Sequence, residues 1–83
     1  MENNVNEEVK VERTEAEERK FRQERMLMEY RELVVKLANL EYFVRTNEFD
    51  NLENEDKELL FKQHRSMCEY ADTLVTRILR EMK

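Results

Sequence analysis

A chain of 83 residues permits one domain at most, and a small chain buries proportionally little of its surface, so any core is thin. Charged residues make up 42% of it, Gly and Pro are absent, and Asp and Glu outnumber Lys and Arg by 20 to 15, for a net charge of −5. The lack of Gly and Pro argues against phosphate-cradling loops and tight strand hairpins, and the acidity argues against DNA, RNA or an anionic membrane as a bulk electrostatic partner.

No stretch approaches the roughly 18 apolar residues of a membrane span, and Met1 to Asn6 lack the form of an export signal. With Cys68 as its single cysteine the chain has no internal disulfide, which fits a reducing compartment. The expectation is a soluble cytoplasmic protein.

In chain order, residues 1 to 13 form a polar, acid-rich arm with Val5, Val9 and Val11 as its only branched apolar content. Val5 and Val9 stand one helical turn apart, so the arm is expected to form a short helix only against another subunit. Thr14-Glu15-Ala16-Glu17 has the form of a capping box and predicts the start of a long helix over about 15–45. Met26, Tyr30, Leu33, Leu37, Leu40 and Val44 alternate spacings of four and three along it, a heptad-type seam. Leu27, Val34, Val35 and Phe43 fall beside or off that seam, so more than one neighbouring helix is expected.

Residues 46 to 52, Thr-Asn-Glu-Phe-Asp-Asn-Leu, compete for backbone hydrogen bonds and predict a chain reversal, with Phe49 and Leu52 plugging its end. A second helix is predicted over about 53–82, its seam being Leu60, His64, Met67, Ala71, Leu74 and Ile78. The predicted fold is all-α, a long antiparallel two-helix hairpin over residues 14–83 with a short N-terminal arm. Each helix is about 45 Å long at 1.5 Å per residue, and a layer only two helices wide leaves apolar sides wet, so assembly as a homo-oligomer is expected.

The chain supplies little for catalysis. His64 and Cys68 are four apart, but a metal site takes three or four ligands and no second pair accompanies them, so they read as a seam residue and a small apolar filler. Neither a catalytic residue nor a metal ligand nor a cofactor is assigned. The one local reversal of charge is Arg19-Lys20-Phe21-Arg22 followed by Arg25. Guanidinium groups bind phosphate in bidentate fashion and an aromatic face stacks a base, so this cluster suits a compact phosphorylated ligand. It equally suits plain helix pairing, Glu15 with Arg19 and Glu18 with Arg22. Lys62, His64 and Arg65, with Arg77 beyond, form a second basic set.

The string Arg25-Met26-Leu27-Met28-Glu29 through Glu32-Leu33, Lys36-Leu37, Leu40 and Phe43, then Phe49, Leu52, Leu59-Leu60, Gln63, Met67, Tyr70, Leu74 and Arg77-Ile78, resembles one phage hairpin family. That family is the hairpin domain shared by the phage anti-CBASS sponge of the second type and one class of anti-Thoeris sponge. The likeness runs from about residue 25 to 79. It implies an all-helical homohexamer that captures cyclic oligonucleotide immune signals, such as cyclic GMP-AMP and cyclic tri-AMP, without cleaving them, in the cytoplasm of an infected bacterial host.

The resemblance carries Arg25 and Arg77 over directly as ligand-binding residues. The family's dinucleotide pocket takes an aromatic from its N-terminal region, yet residues 1 to 20 here contain none, so Phe21 or Tyr30 must substitute. Lys20, Phe21 and Arg22 come from the basic cluster, and Arg65 is the candidate for a trinucleotide pocket. Two further classes compete: a helical adaptor binding a protein through its open apolar side, and, more weakly, a DNA-binding regulator, against which the acidity stands.

Overall fold

A computed structural model describes residues 13–82, so the expected arm lies, apart from Arg13, outside the described residues. Among the described residues three helices follow one another, α1 (Glu15–Phe43), α2 (Asn47–Asp50) and α3 (Asn54–Glu81), and there is no strand. The long helices α1 and α3 pack against each other as the antiparallel hairpin that the two seams predict.

The capping box forms as read. The Thr14 hydroxyl accepts from the Glu17 amide at 3.1 Å while the Glu17 carboxylate accepts from the Thr14 amide at 2.9 Å, satisfying two otherwise orphan donors. Glu15, Glu17 and Glu18 occupy the first turn, where the helix dipole favours carboxylates.

At the hairpin tip α1 stops at Phe43, two residues before the predicted Arg45, and the predicted reversal contains the one-turn helix α2. Thr46 explains both. Its hydroxyl donates to the Phe43 carbonyl at 2.6 Å and accepts from the Phe49 amide at 3.2 Å, so one side chain closes α1 and caps α2. The turn of helix carries Phe49 into the tip, where its ring meets Phe43 at 6.1 Å and Phe61 at 5.5 Å between centroids, both edge-on. Phe49 is buried and Leu52 half-buried, the plug that the sequence predicts.

The core is one layer of side chains. Met26, Leu33, Leu74 and Ile78 form its centre, with Tyr30, Leu37, Met67 and Ala71 packed against them. All eight come from the two predicted seams. Leu74 has no exposed surface at all, and full burial of a leucine contributes about 1.5–3 kcal/mol. A single layer leaves the outer faces apolar in places: Phe21, Met28, Val35 and Tyr42, each seven residues after the last, run exposed along the side of α1 opposite the core.

An aromatic groove of mixed charge at the open end of the hairpin

The open end, where α1 begins and α3 finishes, gathers most of the basic cluster. Glu17, Lys20, Phe21 and Glu24 recur on one face of α1 and, with Arg13 just before the cap, line a shallow groove of about 490 Å³. The Phe21 ring, 43% exposed, is its floor. The Arg13 guanidinium lies 4.3 Å from the ring centroid and that of Arg25 lies 5.7 Å away, both within cation–π range. Among the described residues neither Lys20 nor Arg25 forms a salt bridge, whereas Arg13 meets Glu18 at 3.8 Å.

Arg22, the next residue, points elsewhere. It spans the two long helices to Glu81, with Nε at 3.2 Å and Nη2 at 3.1 Å from the two carboxylate oxygens. Arg19 approaches the same carboxylate at 3.8 Å, and Gln23 donates to the Glu81 carbonyl at 2.7 Å. The expected pairing of Glu18 with Arg22 within α1 therefore gives way to a bidentate bridge between helices, which straddles a longer stretch of chain and clamps the open end. Arg77 stands one turn before Glu81 on α3, close enough for its charge to act on that carboxylate.

The hydrogen bond from Arg22 holds the Glu81 carboxyl below its ordinary value of 4.5, and the charges of Arg22, Arg19 and Arg77 act the same way against the opposing effect of burial. The same bond holds the Arg22 proton more tightly than usual. Since the folded carboxyl is the more acidic, the bridge stabilises fully above the unfolded value and is lost as pH falls through the lowered one. Glu81→Gln is expected to lower the thermal midpoint at pH 7, with the difference from wild type shrinking as the pH falls below the ordinary value of 4.5 and gone once it is below the lowered folded one. A difference that persists at low pH would mean the bridge is not its source.

Of the other predicted site residues, Tyr30 is half-buried against the core and lies outside the groove, which leaves Phe21 as the exposed ring of the basic cluster. Arg65 is exposed on α3, twelve residues before Arg77 and so about 18 Å from it along the helix axis. Arg13 was not among the predicted residues. No spacing rule places it there, because it precedes the cap of α1 and folds back over the Phe21 ring.

A second, more apolar hollow of about 330 Å³ lies near the tip, lined by Glu41, Val44, Arg45, Phe61 and His64. His64 bonds Glu41 across the helices at 2.9 Å, and Cys68 lies 3.8 Å from the same imidazole. No group of three metal-binding side chains occurs among the described residues, and no described helix is long and apolar enough to cross a membrane.

A small helical hairpin with cations around an open aromatic ring, and with apolar rows on its outer faces, is built to bind. Comparison with known families agrees in kind: the family model for Sequestin matches residues 20–80, and the chain belongs to the Sequestin family, whose name denotes sequestering rather than catalysis. No curated protein and no solved structure matches the chain.

Proposed function

We propose that this protein is a phage anti-defence sponge, which binds cyclic di- and trinucleotide immune signals in the cytoplasm of the infected bacterial host and withholds them from CBASS effectors without cleaving them. The observation that carries this reading is the Sequestin match, which spans residues 20–80 and so contains all seven candidate ligand residues: Lys20, Phe21, Arg22, Arg25, Tyr30, Arg65 and Arg77. The groove supports it with chemistry. An exposed phenyl ring offers a stacking face, and Lys20 with Arg25 offers positive charge to the two phosphates of a cyclic dinucleotide.

A sponge acts by mass action, holding free messenger below the level that an effector needs, so it requires affinity and copy number but no turnover. A groove on one helix covers one side of such a ligand, and a homohexamer brings the remaining side from a neighbouring subunit.

The test is isothermal titration against a panel of cyclic di- and trinucleotides, followed by heating the complex and identifying what is released. Submicromolar binding and release of unaltered ligand are expected. Release of a linear or otherwise altered nucleotide would make the protein an enzyme, and absence of heat from every member of the panel would return the chain to the class of protein-binding adaptors.

A further inference from the structure

We infer that Arg13 is a base-stacking residue of the groove: its guanidinium, which lies on the Phe21 ring in the free protein, lifts off and settles on the outer face of the ligand's base, so that Phe21 and Arg13 hold the base between two planes. This role rests on the capture of a cyclic nucleotide proposed above and names what holds the base.

Charge alone holds an anion poorly here. Among the lining residues Arg13 and Lys20 stand against Glu17 and Glu24, so the groove itself is balanced, and Arg25 beside the ring supplies the excess of positive charge. A base is neutral and flat, and stacking it requires a plane rather than a net charge. A guanidinium is planar, weakly hydrated and able to stack, which an ammonium is not. The guanidinium in closest contact with the ring is that of Arg13, at 4.3 Å from the centroid against 5.7 Å for Arg25.

Of the arginines at this end, Arg13 is also the one placed to move. Arg22 is held in bidentate fashion by Glu81, and Arg19 approaches the same carboxylate. Arg25 belongs to α1, whereas Arg13 precedes the cap at Thr14. The capping box pins the chain at Thr14, so the Arg13 side chain swings without breaking a bond of the helix. Among the described residues its one ion pair is with Glu18 at 3.8 Å, between two half-exposed side chains, and contacts of that kind are weak.

The guanidinium now lies too close to the ring for a base to fit beneath it. Stacked bases repeat at about 3.4 Å, so a guanidinium above a base above the ring stands about 7 Å from the centroid, and Arg13 withdraws by about 3 Å. Rotation about its side-chain bonds supplies that swing. The cation–π contact given up on the ring is replaced by stacking on the base, so little is lost in the exchange.

Titration calorimetry and stopped-flow dissociation of cyclic GMP-AMP, on the full chain, test this. Arg13→Ala is expected to bind about tenfold more weakly, the loss of one stacking plane, through faster dissociation and with the salt dependence of wild type. Arg13→Lys keeps the charge without the plane and should bind no better than Arg13→Ala. In a Phe21→Ala background Arg13→Ala should cost about twofold or less, because the base has already lost the plane beneath it. Arg13 lies outside both α1 and the core, so the variants keep the fold.

Unchanged or raised affinity in Arg13→Ala overturns the inference and makes Arg13 only a cover for the ring. Full rescue by Arg13→Lys, or a salt slope lower by about one in Arg13→Ala, overturns it too and makes Arg13 a phosphate contact. Equal costs of Arg13→Ala with and without Phe21 mean that the two side chains do not share a base. Wild type that takes up no cyclic GMP-AMP also removes the inference, and the proposed function falls with it only if every other cyclic nucleotide of the panel fails.

Discussion

Replacing Phe21 by Ala is expected to weaken capture of a cyclic dinucleotide by about fivefold to 150-fold, the effect of removing about 1–3 kcal/mol of base stacking. The ring is exposed at the floor of the groove and absent from the buried core, so its loss leaves the hairpin standing. Arg25→Ala removes one of the cations beside the ring and is expected to act in the same direction, with a shallower dependence of the remaining affinity on salt because Lys20 alone is left to meet the phosphates.

Arg77→Ala separates two roles. Near Glu81 it supports the clamp of the open end, so a loss of affinity accompanied by a lower thermal midpoint marks it as a positioning residue, whereas a loss of affinity alone marks it as a ligand contact. The measurement is titration calorimetry on each variant beside its melting curve. Phe21→Ala binding as tightly as wild type would remove the groove from the site, even if the protein still captures nucleotides elsewhere.

Leu74→Ala should be the most damaging single truncation in the core. Leu74 is the one side chain in the described structure with no solvent exposure, set among Met26, Leu33 and Ile78. Such truncations cost about 2–5 kcal/mol, through lost transfer energy and through the cavity left when neighbours only partly collapse. In a domain this small that is a large fraction of the total, and a fall in the thermal midpoint of about 10 °C or more follows. Leu79→Ala, five residues on but exposed, serves as the control and should barely move it. Equal melting of the two variants would mean that α3 does not present Leu74 inward.

The hairpin was legible because its information is local or periodic. A seam that alternates three and four needs no knowledge of the partner helix, and Met26, Leu33, Leu74 and Ile78 were readable from spacing alone. The capping box at Thr14 is a contact between residues three apart and was equally plain. Two kinds of feature were not. Arg22 finds Glu81 across 59 positions, a partner set by the register of α1 on α3, which composition does not encode. The one-turn helix α2 hangs on the double use of the Thr46 hydroxyl, whereas propensity marks Asn47, Asp50 and Asn51 only as turn formers.

The candidate groove was half legible: Lys20, Phe21 and Arg25 came from the charge reversal, and Arg13 came only with the path of the chain just before the cap of α1. Tyr30 shows the limit of the approach, since an aromatic at a seam position and an aromatic at a binding position look alike until the partner helix covers one of them.

The three phenylalanines packed edge-on close one end of the hairpin with apolar burial, whereas the other end is held by an exposed ionic bridge to Glu81. Transient local opening follows the weaker closure, so amide hydrogens near residues 15–25 and 77–82 should exchange with solvent sooner than those flanking the tip. The groove thus occupies the end of the molecule that opens most readily. A messenger bound there would suppress that opening, and its capture would be written in the exchange rates of the two helix ends.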